Sequence, residues 1–144
     1  MSEGIKLTDR EMRYIQLFEA ATNASVVDCV EEGDTVVFIV RPGEIGKALG
    51  GKGARIKEVS RMMRKRVKVV EFAEESAEFI KNLLYPAEII GPVRMTERPD
   101  GRKIAVVTVS PRDKGIAIGK DGKNISLARH LIKRHFDVDH VIVQ

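Results

Sequence analysis

An internal repeat constrains the fold of this chain more than any other feature. A shift of 69 residues places segment 42–56 on segment 111–125, and six of the fifteen aligned positions are then identical. The shift is close to half of the 144 residues. A repeat of this length predicts two copies of one small unit. We therefore expect a first domain over residues 1–73 and a second over residues 74–144, packed closely because no Pro/Gly/Ser-rich linker separates them.

The two halves share one order of predicted elements. In the first half, Thr8 and Glu11 form a capping box before a helix that runs to about Ala21. Two β-branched runs that flank a Gly33 turn predict a hairpin. Two helices (43–49 and 54–65) and a strand (67–72) follow. The second half repeats this order with a helix that ends before Pro86, strands at 89–95, 104–109 and 138–143, and two helices before the last strand. The pattern predicts an α+β fold with a mixed sheet, α-β-β-α-α-β in each half.

Positive charge is concentrated in two blocks of the chain. Segment 41–66 holds nine Lys or Arg residues against two Glu, and segment 102–135 holds nine against two Asp. The net charge of the whole chain is only +4, so the remaining residues are net acidic. Two basic blocks in an acidic frame predict two surfaces that face a polyanion.

Each basic block contains a G-x-x-G motif between two predicted helices, at Gly50–Gly53 and at Gly119–Gly122. Glycine has no Cβ, so a sugar-phosphate backbone can approach such a loop closely. The helix that follows offers free amides and the positive end of its dipole. One G-x-x-G is weak evidence in a chain with 12 glycines, but here the motif occurs twice at matched positions.

The motif and its context resemble the KH family, whose core reads Ile-Gly-x-x-Gly-x-x-Ile, and the element order resembles the type II form. Over roughly residues 5–144 the chain is similar to the archaeal NusA-like proteins, which have two KH domains in tandem. The resemblance implies that the helices of each domain pack on one face of a three-stranded sheet, and that each loop clamps about four nucleotides. With the neighbouring cations, it implies these RNA-binding residues: Gly46, Gly50, Gly51, Lys52, Gly53, Arg55, Lys57, Gly115, Gly119, Lys120, Asp121, Gly122 and Lys123.

The surface beside each loop should be aliphatic, because aromatic residues make up only 5% of the chain and base stacking on exposed rings is therefore disfavoured. The residues that we expect to form these grooves are Ile45, Ala48, Ile56, Ile116, Ala117 and Ile125. Asp121 places a negative charge near the expected phosphate path, so the second loop should bind more weakly. The run Arg64–Arg66 is interpreted as complementing a helix C-terminus rather than reading bases.

The resemblance implies a single-stranded RNA-binding transcription elongation or termination factor that holds nascent RNA through its two loops. RNA is then the main partner, and RNA polymerase or other transcription machinery is a further one. Bacterial NusA has an N-terminal polymerase-binding domain and an S1 domain for which this chain has no room, so direct polymerase contact by that route is not expected. We expect a monomer.

Two other functions are compatible with the sequence. A KH protein can bind ribosomal RNA or assist ribosome assembly, and a KH fold can act as a protein-interaction adaptor whose acidic surface faces a basic partner. An enzyme is not expected, because the chain has no Walker loop, no Ser/His/Asp arrangement and no metal-ligand spacing. We therefore predict no catalytic residue, no metal and no cofactor.

Cys29 is the single cysteine, which excludes an internal disulfide and suits a reducing compartment. It falls in a predicted strand, where a small core residue is expected. No apolar run of about 18 residues is present, and segment 1–5 lacks the pattern of a secretory signal. These features predict a cytoplasmic protein that does not interact with membranes.

Overall fold

The computed structural model describes residues 6–144 of the chain. These residues divide into two compact units, residues 6–73 and residues 74–144. Segment 1–5, on which the argument against a secretory signal depends, lies outside the described residues. In residues 6–144, no helix combines the length and the apolar character that crossing a bilayer would require.

The first unit has the predicted order of elements. A capping box begins its first helix: Thr8 Oγ1 accepts from the Glu11 amide at 3.0 Å, and the Thr8 amide donates to Glu11 Oε1 at 3.0 Å. The elements are α1 (Asp9–Thr22), β1 (Val26–Glu32), β2 (Thr35–Val40), α2 (Ile45–Leu49), α3 (Ala54–Met63) and β3 (Arg66–Glu71). Strand β2 lies in the centre, antiparallel to β1 and parallel to β3, so β3 forms one edge of the sheet.

Alternate residues of β2 carry the core of the first unit. Val36, Phe38 and Val40 point to the same face because side chains alternate along a strand, and all three are fully buried with residues of all three helices. The Phe18 ring of α1 stacks on the Phe38 ring with a centroid distance of 4.2 Å. The three helices of this unit therefore pack on one face of the sheet, as expected. Cys29 of β1 is fully buried in this core, which confirms its predicted place.

The carboxylate of Glu31 links α1, β1 and the segment just before β3 in the first unit. Glu31 on β1 pairs with Arg10 of α1 at 3.0 Å and with Lys65 at 2.9 Å, and it accepts a hydrogen bond from the Tyr14 hydroxyl at 3.2 Å. Desolvation raises the pKa of Glu31, but the hydrogen bond from Lys65 and the charges of Arg10 and Lys65 outweigh it. The pKa therefore lies below its ordinary value.

The end of α3 differs from the sequence prediction. The predicted helix runs to Lys65, but α3 ends at Met63 because Arg64 adopts a left-handed conformation with φ 55°. Lys65 then turns away from the helix: its Nζ donates to the Gly33 carbonyl at 2.9 Å as well as to Glu31. The interpretation of this run as a helix-end complement is therefore wrong for Lys65, which fixes the β1–β2 turn instead.

The second unit repeats the topology of the first. Its elements are α4 (Ser76–Leu84), β4 (Arg94–Glu97), β5 (Lys103–Val107), α5 (Lys114–Ile118), α6 (Lys123–Phe136) and β6 (His140–Val143). Strand β5 is central, antiparallel to β4 and parallel to the edge strand β6. Phe79 of α4 lies against Phe136 of α6 with a centroid distance of 5.7 Å. Apolar residues of α4, β5 and α6 are buried.

The first strand of the second unit is shorter than predicted. The sequence predicts a strand over 89–95, but β4 covers Arg94–Glu97, and the earlier part makes only an isolated bridge between Ile89 and Val109. Gly91 has a φ of +69°, which is incompatible with a strand. Pro92 has no amide proton to donate to a sheet. The two residues interrupt an apolar run that otherwise resembles a continuous strand.

Removing the charge of Glu31 should destabilise the first unit. Glu31→Gln loses the pairing with Arg10 and Lys65, and we expect the free energy of unfolding at pH 7 to fall by about 1 kcal/mol. A carboxyl whose folded pKa is lowered contributes stability above its unfolded pKa and loses it as pH falls through the folded pKa. The wild-type chain should therefore keep its advantage over the variant above the ordinary glutamate pKa and lose it only as the pH falls below that value.

Thermal unfolding at several pH values measures this effect. Glu58→Gln is the matched control, because Glu58 pairs with Arg61 at 2.7 Å but both side chains are more than half exposed. An advantage of wild type over Glu31→Gln that did not change with pH would contradict the assigned role of this carboxylate.

Candidate nucleic-acid interface

The two G-x-x-G loops share a left-handed backbone at their last two residues. Lys52 and Gly53 have φ values of 57° and 79°, and Asp121 and Gly122 have φ values of 55° and 73°. The repeat places Lys52 on Asp121 and Gly53 on Gly122. The same backbone therefore presents a cation in the first unit and an anion in the second, and both side chains are exposed.

The first glycine of each loop differs between the units. Gly50 has a φ of −59°, which any residue can adopt. Gly119 has a φ of 79°, and a Cβ at this position would lie 2.7 Å from Asn124 Cβ and 2.8 Å from the Asn124 amide nitrogen. Only glycine fits at position 119, so the second loop is held more tightly against the helix that follows it.

Each loop leads into a helix without a side-chain cap. Gly53 and Gly122 are the N-cap residues of α3 and α6, and within the described chain neither helix start has a side-chain hydrogen bond. The first amide of each helix donates into its own loop, Ala54 to the Gly51 carbonyl at 3.0 Å and Lys123 to the Lys120 carbonyl, and the positive end of each helix dipole faces the loop. The Lys52, Lys120 and Lys123 side chains are exposed and have no hydrogen bond or ion pair to any residue in 6–144.

The residue two positions after each loop stabilises the preceding helix. Arg55 Nη1 donates to the Lys47 carbonyl at 3.4 Å, and Asn124 Nδ2, at the matched position, donates to the Ala117 carbonyl at 3.0 Å and the Ile116 carbonyl at 3.3 Å. These bonds hold the two helices of each pair at a fixed angle around the loop. Arg55, a predicted RNA contact, therefore shapes the loop in addition to carrying charge beside it.

An open groove runs between α3 and β3 in the first unit. Its volume is about 460 Å³, and an adjoining depression of about 300 Å³ continues it past Ser60 toward the β1–β2 turn. The larger cavity is lined by Ile56, Lys57, Ser60, Arg61, Arg66 and Val67. Ile56 and Val67 give the groove an aliphatic floor, and the neighbouring lysine and arginines make its rims positive. It can therefore hold a flat ring that is attached to an anionic backbone.

Some of the predicted groove residues lie in the core and others lie on the surface. Ala48 and Ala117 have no exposed surface and Ile125 is 5% exposed, so these three pack beneath the loops. Ile45 and Ile56 are half-buried against the first core, and Ile56 also lines the groove. Ile116 is exposed on α5. The remaining predicted residues, Gly46 and Gly115, lie on exposed positions of α2 and α5 one turn before the loops.

Several residues at the interface were not predicted from the sequence. Leu49 is 50% exposed and Ile118 is 40% exposed, each directly before its loop. The repeat pairs these two residues, and this was the signal that could have identified them. Ser60, Arg61 and Arg66 line the groove, but they are separated in sequence and meet only because β3 runs beside α3.

Basic residues also surround the end of the second sheet. Partial burial lowers the pKa of His140 on β6, and the neighbouring charges of Arg129 and of Arg102 and Arg98 on the β4–β5 turn lower it further. The imidazole is therefore neutral at neutral pH. This turn corresponds to the β1–β2 turn beside the first groove.

Known proteins resemble this chain over nearly its whole length. A family described as the NusA-like second KH domain matches residues 76–143. A probable transcription termination protein NusA of Halococcus morrhuae is 39% identical over 95% of this chain and 96% of its own length. The Methanocaldococcus jannaschii protein of the same description is 28% identical over 96% of this chain and 75% of its own.

A solved structure agrees with these matches. The crystal structure of APE1850 superposes with a TM-score of 0.80 at 34% identity, over 96% of this chain and all of that one. The transcription termination/antitermination protein NusA of Thermus thermophilus is 36% identical over 60% of this chain, which is only 22% of the bacterial protein. Since relatives above 30% identity match about 95% of this chain and nearly all of their own length, the chain belongs to the archaeal NusA-like family.

Proposed function

We propose that this chain is a single-stranded RNA-binding factor that acts in transcription termination or elongation. One observation carries the proposal: two matched loops with a left-handed backbone each open an uncapped helix, and unpaired lysines lie beside them. Amides at a helix start and adjacent cations are suited to phosphates. A KH loop of this kind holds the RNA backbone and directs the bases into a neighbouring groove.

The descriptions of the relatives indicate the process in which the RNA would be bound. Those that match nearly the whole chain are described as probable transcription termination proteins. The natural ligand is then the nascent transcript, and RNA polymerase or associated factors are the partners at which the bound RNA would act. This role requires binding and release of RNA and no catalytic residue.

Both units would take part, with unequal strength. We propose that residues 1–73 and 74–144 each act as a KH domain, since they share strand order, strand direction and the left-handed backbone at the last two loop residues. Lys52 and Asp121 have the same backbone conformation but opposite charge, so the first loop should hold phosphates more strongly. Two weak sites on one chain raise the effective concentration of RNA at each.

Reversal of the loop charges should remove RNA binding without unfolding the chain. In Lys52→Asp/Lys120→Asp, a negative charge at each loop repels the phosphates, and affinity for a single-stranded RNA should fall at least about tenfold. The slope of log affinity against log salt should also become shallower, by roughly 0.7 for each phosphate that the variant no longer neutralises. Fluorescence anisotropy at several salt concentrations measures both effects.

Arg13→Asp/Lys81→Asp is the matched control, because it reverses two charges on α1 and α4 away from the loops. The control should bind RNA nearly as well as wild type. Unchanged affinity in a folded loop variant, verified by circular dichroism, would reject the phosphate-binding role of the loops.

The geometry at the first glycine predicts different tolerance in the two loops. Gly119→Ala places a Cβ 2.7 Å from Asn124 Cβ in a backbone conformation that alanine disfavours, and we expect a loss of about 2 kcal/mol in unfolding free energy. Gly50→Ala places its Cβ no closer than 3.3 Å to another atom, the Gly46 carbonyl oxygen, and should cost less than half as much. Thermal unfolding of the two variants tests this difference, and equal losses would contradict it.

Crosslinking of RNA in cells, followed by sequencing, tests the process itself. Nascent transcripts near termination sites should be enriched, and the double loop variant should lose this enrichment. Enrichment of ribosomal RNA with co-sedimentation on ribosomal subunits would favour a role in ribosome assembly instead. Protein partners that survive nuclease treatment and bind the loop variant equally well would favour an adaptor.

A further inference from the structure

The helix after each loop carries a different residue at one matched position. Ser60 lies four residues after Ile56 on α3, and Arg129 lies four residues after Ile125 on α6. The shift of 69 residues that aligns the loops also aligns Ser60 with Arg129. Both positions face the gap between the helix and the edge strand of the unit.

Ser60 leaves this gap open in the first unit. Its hydroxyl donates to the Lys65 carbonyl, just before β3. The short side chain therefore lies along the wall, and the groove of about 460 Å³ remains between α3 and β3.

Arg129 crosses the same gap in the second unit. Its Nε and Nη2 donate to the Val141 carbonyl of β6 at 3.1 and 3.0 Å. Because β6 is an edge strand, a carbonyl that faces outward from it would otherwise be available to a ligand. The guanidinium occupies that acceptor, and the side chain spans the distance from the helix to the strand.

We propose that Arg129 closes the second groove to nucleobases, so that the first unit reads bases while the second holds only the RNA backbone. The inference depends on the proposed RNA-binding function. A base that enters beside a KH loop needs room next to the helix and free hydrogen-bonding groups for its edge. The first unit has an open groove at this place, whereas in the second unit the Arg129 side chain crosses the gap and uses the Val141 acceptor.

A reciprocal exchange in the full chain tests this assignment. Ser60→Arg should close the first groove, and the ratio of affinities between the best and worst of three homopolymer RNAs, rA, rC and rU, should shrink roughly fivefold. Its salt dependence should not become shallower, because the phosphate contacts remain. Lys52→Asp provides a background in which the second loop dominates binding. In this background we expect no base preference, and adding Arg129→Ser should create one of roughly fivefold.

Two variants distinguish the effect of closing the second groove from the effect of losing a positive charge. Arg129→Lys keeps the positive charge but loses the forked donor pair, so its base preference should lie between that of wild type and that of Arg129→Ser. Arg112→Ser removes an arginine that is 81% exposed in the same unit and should leave base preference unchanged. A preference created equally by Arg112→Ser would overturn the proposal, because the effect would then be one of charge.

The remaining outcomes are also decisive. Base preference that survives Ser60→Arg in a chain that folds, judged by thermal unfolding, would overturn the proposal even if Arg129→Ser did not fold. An unchanged ratio in Lys52→Asp/Arg129→Ser would overturn it equally. If the unmodified chain bound none of the three RNAs, the proposed function itself would fail. If it bound RNA but these exchanges had no effect, only the role of Arg129 would fail.

Discussion

A tight reversal of the chain between a short helix and the longer helix that follows it is the constraint on which each unit depends. The reversal requires two consecutive left-handed residues, Lys52–Gly53 and Asp121–Gly122. Non-glycine residues adopt this conformation only at some energetic cost. The surrounding bonds from Arg55 and Asn124 to carbonyls of the preceding helix hold the turn in place. The same geometry that permits close packing of the helices also exposes the lysines beside the start of the second helix.

The repeat allowed most of the fold to be predicted from the sequence. Capping by Thr8, the hairpin around Gly33 and the helices beside each loop all depend on local patterns, and the structure has them near the predicted positions. The predicted strand at 89–95 was wrong because its apolar composition is interrupted by the break at Gly91 and Pro92. Local backbone geometry outweighed hydrophobicity there.

The candidate site was less accessible to sequence reasoning. The loop residues are contiguous, so the motif identified them together with Ile56 and Lys57. The rest of the groove is made by residues farther along α3 and on β3, which the motif does not reach: Ser60, Arg61, Arg66 and Val67. Ala48 and Ala117 matched the motif spacing and yet lie in the core, because a short helix has one face toward the sheet and spacing alone does not distinguish the faces. Asp121 and Arg129 indicate that the copies have diverged where a ligand would contact them, although the folding pattern is preserved.

The link from Lys65 to the Gly33 carbonyl has a consequence for the thermodynamics of binding. It fixes the β1–β2 turn against the start of β3 at 2.9 Å, so the far end of the open groove is preorganised before any ligand arrives. If RNA is the ligand, as proposed, the entropy cost of association would fall mainly on the RNA rather than on the protein. Transcripts that are already unstacked and unpaired would lose the least entropy, which favours a freshly synthesised strand over one that has had time to fold.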